Sequence, residues 1–184
     1  MASDLIIKKT LMQLVIRKAS QADAEYIALL ARITFREAFG HIWNPKTLNN
    51  YLNSTFPVNK IRSSLAKENN IFWIAFADEL PVGYLKIKKH SPVEVISDNS
   101  PVQLQKIYVL NDYTGHKIGE QLQEKGFEAA RELQKKTMWL AVWKGNEKAI
   151  RFYENHGFRI HAPHKYDFED MSFDFVIMIK DFPL

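Results

Sequence analysis

"VQLQKIYVLNDYTGHKIGEQLQEKGFEAARELQ" (Val102–Gln134) is the stretch on which the fold of this chain turns. Val102 to Leu110 is an apolar, strand-like run. Thr114 to Gly119, "TGHKIG", then sets two glycines four residues apart, and from about Lys117 to Gln134 the pattern is helical. Ile118, Leu122, Gly126, Ala129, Ala130 and Leu133 share one stripe of that helix, which predicts a sheet beneath it. Gly126 on the stripe predicts a close approach of helix and sheet.

Gly115 and Gly119 therefore stand at the entrance of a buried helix, where the first backbone N–H groups lack intrahelical partners. Two readings are open. The glycines serve a tight turn, or they let an anion such as phosphate approach those donors and the positive end of the helix dipole, with His116 and Lys117 adding charge. The hexapeptide does not separate them, and it matches neither G-x-x-x-x-G-K-[ST] nor G-x-G-x-x-G.

The flanking sequence supplies the rest of a sheet. "LVIRK" (Leu14–Lys18) alternates as a strand, and Ser20 and Asp23 have capping-box spacing before a helix carrying Ile27, Leu30, Ala31, Thr34 and Ala38 on one face and closing at Gly40. "NPKTLNNYL" and "PVNKIRSSLAK" predict two short helices with proline in the first turn. "IFWIAF" (Ile71–Phe76) and "VGYLKIK" (Val82–Lys88) flank "ADELP" as a hairpin, and Ser91 to Pro101 reads as a loop. "TMWLAVW" (Thr137–Trp143) predicts a central strand, "NEKAIRFYENH" a helix ended by Gly157, and "FRI" and "FDFVIMIK" the last strands. The expectation is a mixed α/β (α+β) fold, one domain over residues 1–184, with a mixed central sheet flanked by helices.

Composition narrows the function. Of 184 residues, 46% are hydrophobic and 25% charged, as in an ordinary soluble globule, and no apolar run nears the ~20 residues of a membrane span. The N-terminus lacks the pattern of a signal peptide, so the expected location is cytoplasmic. With no cysteine, disulfides, thiolate metal sites and a cysteinyl intermediate are all excluded. The net charge of +4 comes from scattered basic residues, densest in "KIKKH" (Lys86–His90), and reads as a solvated surface with no nucleic-acid partner. His156, His161 and His164 have no standard ligand spacing, and no metal is expected.

"LAVWKGNEKAIRFYENHGF" (Leu140–Phe158) carries the second constellation. Asn146, Ala149 and Tyr153 lie at i, i+3 and i+7, so an amide, a small residue and a phenol share a helix face. Asn146 is either a helix cap or a partner for a ligand's amide; Tyr153 is either a half-buried aromatic or a proton donor to a leaving group.

These residues, with strand Leu104–Val109, the "TGHKIG" turn and the opening "VIRKASQADAEYIALLARITFREAF", resemble the GCN5-related N-acetyltransferases over roughly Leu14 to Ile179. Within that family "TFREAF", "LQKIYVL" and "LAVWKGNEKAIRFYENHGF" are most similar to the bacterial spermidine/spermine acetyltransferase group. The resemblance implies acetyl-CoA as co-substrate, its pyrophosphate held by the turn formed by Thr114, Gly115, His116, Lys117, Ile118 and Gly119. It implies pantetheine pairing with the backbone of Ile107, Tyr108 and Val109, Asn146 and Ala149 beside that arm, and Tyr153 protonating the departing thiolate. Two positions depart from the family pattern: Thr114 stands where Arg or Gln is usual, and Lys117 replaces the middle glycine. Gln103, Gln105 and Lys106 occupy the neighbourhood where many members carry an acid.

The acceptor implied is a small primary amine, in particular a polyamine, acetylated by direct transfer in a ternary complex. Glu37 is the best carboxylate for the base, beside the commoner reading of a surface helix acid and the alternative of a water chain. Phe35, Phe39, Trp43 and Tyr51 are candidates for the acceptor pocket, with core packing expected for at least two of them. Glu37, Asp167, Glu169 and Asp170 are the carboxylates available to a polycation, although "YDFED" reads equally as an exposed loop. The rival functions are a peptide or protein N-terminal acetyltransferase and a non-catalytic CoA-binding module. The family also implies a homodimer through the C-terminal strands, "FDFVIMIK" being apolar enough either for such an edge or for burial.

Overall fold

A computed structural model of the chain describes residues 12–169 and 171–183, so Asp170 lies outside the described residues. The strands are β1 (Leu14–Lys18), β2 (Asn70–Ala77), β3 (Leu80–Lys88), β4 (Val102–Val109), β5 (Thr137–Trp143), β6 (Arg159–Phe168) and β7 (Met171–Asp181). The helices are α1 (Ala24–Phe39), α2 (Pro45–Thr55), α3 (Val58–Leu65), α4 (Ile118–Glu132) and α5 (Glu147–Asn155).

Local chemistry sets the first elements. The Ser20–Asp23 capping box forms, and it closes a 3-10 turn (Gln21–Asp23) that feeds α1. The Asp23 carboxylate also accepts two hydrogen bonds from Arg17 of β1, at 2.9 and 2.7 Å, which pins the helix entrance to the sheet. Those bonds from Arg17 hold its carboxyl below the usual carboxylate range. Asn44 caps α2 through a bond from Thr47 N (2.8 Å), with Pro45 in the first turn. Pro57 sits at the cap of α3 rather than inside its first turn, where its extended conformation suits the entry. Gly40 ends α1 in right-handed conformation (φ −61°), so its closure uses no left-handed residue.

The strands make one seven-stranded sheet in the order β1-β2-β3-β4-β5-β7-β6. Every neighbouring pair is antiparallel except β4 and β5. One face packs under α4 and α5, burying Leu85, Ile87, Leu104, Ile118, Leu122, Phe127 and Tyr153. The other face is covered by α1, α2 and α3, with Ile27, Leu30, Phe35, Tyr51, Phe56, Phe72 and Tyr84 buried there. Such a helix–sheet–helix layering is what the period-3.6 stripes and apolar strand runs demand. A Cβ added at Gly126 would stand 3.2 Å from Leu85 Cδ2, the close approach expected of α4 on β3. Leu133 differs from the sequence reading: it follows the last turn of α4 and is 37% exposed, while Gln123 and Phe127 are buried in its stead.

The C-terminal strands decide two questions that the sequence left open. β6 continues past "FRI" to Phe168, so "YDF" ends an edge strand instead of forming a loop; Pro163 is tolerated because β6 pairs on one side only. "FDFVIMIK" lies in β7, between β5 and β6, and Val176 to Ile179 are buried. Burial rather than a free edge accounts for that apolar run. Among the described residues no helix is long and apolar enough to cross a membrane.

Candidate active site

The single parallel junction of the sheet holds the site. β4 and β5 pair only at Val102↔Met138 and Gln103↔Trp139. Beyond that point, among the described residues, no strand pairs with the β5-facing edge of β4. The cause lies partly in β4 itself. Against β3, Leu104 pairs with Ile87 and Lys106 with Lys86, so Gln105 is an extra residue that bulges and bends the strand. The opening is a cleft of about 410 Å³ lined by Leu104 to Val109, Leu140 to Trp143, Tyr113 to Gly115, Lys117 to Glu120 and the inner side of α5; His116 is not in its lining. On this edge β5 pairing stops at Gln103, so the alternate backbone groups of the Ile107–Val109 segment that point away from β3 have no strand partner among the described residues, as a bound strand-like ligand requires.

At the mouth of this cleft α4 begins without a side-chain cap. Its N-cap, Lys117, adopts the left-handed conformation (φ +59°), and Gly115 does so at φ +82°. A side chain at Gly115 would meet nothing within 4 Å, so the glycine serves backbone geometry and leaves open space above the helix start. Thr114 spends its hydroxyl on Asn111 O (2.8 Å), and His116 Nδ1 lies 3.2–3.3 Å from the carbonyls of Thr114 and Tyr113. Uncapped N–H groups, a positive dipole end and open space together fit a phosphate.

From the opposite wall, α5 brings Asn146, Ala149 and Tyr153 to the cleft. Asn146 caps the helix, its Oδ1 accepting from Ala149 N (3.0 Å), and its NH₂ is left without a protein partner among the described residues on the cleft wall. Tyr153 is 9% exposed and packed edge-on against Phe152 and Phe158. Burial, and then proximity to Tyr108, pushes its phenol well above the ordinary value. Tyr153 thus keeps its proton at every physiological pH and faces the cleft as a donor.

The family model for the acetyltransferase (GNAT) family matches residues 33–158. The chain belongs to that family. As a GNAT member it is an acetyl-CoA-dependent N-acetyltransferase, and the cleft between β4 and β5 fits that co-substrate. An uncharacterised N-acetyltransferase from the pepI 3' region of Lactobacillus delbrueckii subsp. lactis is 27% identical over 161 residues, 87% of this chain and 93% of that protein. The spermidine N(1)-acetyltransferase of Thermoplasma acidophilum is 24% identical over 164 residues, 85% and 95% of the two chains. The fold matches the crystal structure of PaiA N-acetyltransferase from Thermoplasma acidophilum in complex with coenzyme A, with TM-score 0.75 and 22% identity, covering 93% of this chain and 100% of that one.

Across the sheet a second cavity, of about 570 Å³, lies beneath α1, α2 and α3 of the GNAT fold. Phe35, Phe39, Trp43 and Tyr51 all line it and also pack together: Phe35 stacks on Tyr51 at 4.5 Å and Trp43 on Phe173 at 5.0 Å. Phe35, Trp43 and Tyr51 are buried and Phe39 half-buried, so packing and lining are one role here. Phe39, Gln105, Lys106, Tyr108, Ala141, Trp143 and Phe175 border both cavities, which therefore meet at the bulge. Glu37 is not among the residues lining either cavity; exposed on α1, it accepts a bond from Asn111 N (3.2 Å) in the turn after β4. Asp167 is exposed, and Glu169 accepts from Asn50 Nδ2 (3.2 Å); neither lines the second cavity.

Two groups take on a setting that the sequence did not indicate. Gln105 Oε1 is buried at the junction with no hydrogen-bond partner. Lys86, seen only as part of the basic run "KIKKH", points into the second cavity opposite Lys106. His156, His161 and His164 make separate contacts, and among the described residues no cluster of three metal-ligating side chains occurs.

Proposed function

We propose that this enzyme moves the acetyl group directly from acetyl-CoA to a primary amine, the donor lying between β4 and β5 and the acceptor entering from the α1–α3 side. The observation that carries it is the meeting of the two cavities at the Gln105 bulge. A module that only bound CoA would need no second cavity opening onto the reacting end. Turn amides from Gly115 to Gly119 hold the pyrophosphate, and the β4 edge from Ile107 to Val109 aligns the pantetheine and polarises the thioester carbonyl. The NH₂ of Asn146 bonds the pantetheine arm. Gln105 Oε1, buried without a partner where the cavities join, accepts an N–H from the incoming neutral amine.

As the C–N bond forms and the C–S bond breaks, the amine loses one proton and the departing sulfur gains one. Tyr153 O–H donates to that sulfur. Because its phenol is harder to ionise than an ordinary one, and a thiol ionises near ~8.5, its main contribution is the hydrogen bond to the developing thiolate. Glu37 faces neither cavity, so proton removal from the amine runs through solvent in the acceptor cavity. The polyamine class is supported by one relative, the Thermoplasma spermidine acetyltransferase. Thiol release measured at varied donor and acceptor tests direct transfer: intersecting double-reciprocal lines are expected, and parallel lines overturn it.

A further inference from the structure

Lys86 of β3 and Lys106 of β4 are direct cross-strand partners, and both point into the acceptor cavity. Like charges placed opposite one another on one face of a sheet oppose folding. Their surroundings do little to neutralise them. Lys86 Nζ donates to Ser64 Oγ (3.0 Å) and lies 5.2 Å from the Phe72 ring centre, and Lys106 Nζ lies 5.3 Å from that of Phe56. Lys60 and His164 add basic groups to the same wall, and among the described residues no Asp or Glu lines the cavity. The remainder of the lining is largely aromatic. A polycation would bring further positive charge to this wall.

We propose that the acceptor is a carboxylate-bearing primary amine with an aromatic or apolar body, its carboxylate held between Lys86 and Lys106. Such a ligand supplies the counter-charge the pair lacks, lays its apolar part against Trp43 and Tyr51, and leaves its amine for the junction at Gln105. Burial lowers both lysines to about 8, as expected of ammonium groups awaiting an anion. A cavity of about 570 Å³ accommodates a molecule of amino-acid size. The inference rests on the acetyl-transfer reading for its turnover arm and stands apart from it in its binding arm.

In the binding arm, calorimetric titration compares 3-phenylpropionate with its neutral amide. The acid is expected to bind at least about tenfold more tightly, a preference abolished in Lys86→Met and retained in Lys86→Arg, since a charged hydrogen bond carries that much. Methionine fills the lysine's volume, and an unchanged or higher melting temperature shows that Lys86→Met is folded. Equal binding of acid and amide, or a preference that survives in folded Lys86→Met, overturns the inference. In the turnover arm, phenylalanine is expected to exceed phenethylamine and spermidine in kcat/KM; the reverse order overturns it. Thiol release with none of these amines, while the acid still binds through Lys86, overturns the transferase reading and leaves the carboxylate site standing.

Discussion

The two sides of the sheet do chemistry with different parts of the chain. On the α4–α5 side the proposed donor cleft is made largely of main chain: the uncapped start of α4, the open edge of β4, and a glycine that supplies the left-handed turn at Gly115. On the α1–α3 side the acceptor cavity is made of side chains drawn from helices and strands far apart in sequence. A main-chain site binds what every member of a fold family must bind, because its donors survive most substitutions. A side-chain site is free to change, and here its lining is aromatic and basic.

The largest effect expected is on the α5 wall of the first cleft. Tyr153→Phe removes one hydroxyl and little volume, so kcat should fall by about 10²-fold or more with KM for acetyl-CoA nearly unchanged. Wild-type turnover in that variant would reduce Tyr153 to a packing residue. Next comes Asp23→Asn, which breaks the clamp between β1 and the helix that carries Phe35 and Phe39. A loss of about 2 kcal/mol in chemical denaturation is expected for the charged hydrogen bonds to Arg17. Its folded carboxyl lies below the unfolded 3.8, so the clamp's contribution is present above that pH and is lost as pH falls through the folded value. Acid unfolding of Asp23→Asn should therefore lack this component.

The acceptor side has its own pH signature. Lys86 and Lys106 release protons near 8 when folded, against 10.5 when unfolded, while Lys60, Lys67, Lys88 and His164 surround them without a compensating acid among the cavity residues. Binding of 3-phenylpropionate should weaken severalfold as pH rises through about 8. Between about 8 and 10.5 the unfolded chain holds more protons at these two positions, so their contribution to stability should rise with pH. Lys86→Met should flatten that rise in urea titrations across the window. The smallest change belongs to the donor side. Lys117→Gly relieves a left-handed lysine and should raise stability by about 1 kcal/mol, with acetyl-CoA affinity measured alongside to show whether the ammonium group touches the phosphate.

Most of the fold was legible along the chain because its signals are local. The capping box at Ser20–Asp23, the hairpin around "ADELP" with Asp78 and Glu79 in positive φ, and the α4 stripe each span a few residues. Alternatives stayed open where a longer range decides. "YDF" could read as a loop because its pairing partner is β7, and "FDFVIMIK" read equally as an edge or a buried strand because β6 covers it only in three dimensions. In the site, Gly115, Gly119, Asn146, Ala149 and Tyr153 all reach the donor cleft, since one turn and one helix face carry them. Glu37 did not reach it, since its helix turns that side toward the loop after β4.

Periodicity, caps and a glycine turn, read from the amino acids alone, were enough to set the order of elements and the apolar face each long helix turns to the sheet, because those features depend on neighbours within a helical turn or a strand's alternation. Only the folded sheet decided that Gln105 would bulge, that β4 and β5 would part beside it, and that Lys86 and Lys106, twenty positions apart, would face each other. Cross-strand register sets those relations, and register is fixed by the packing of the whole sheet rather than by any one segment.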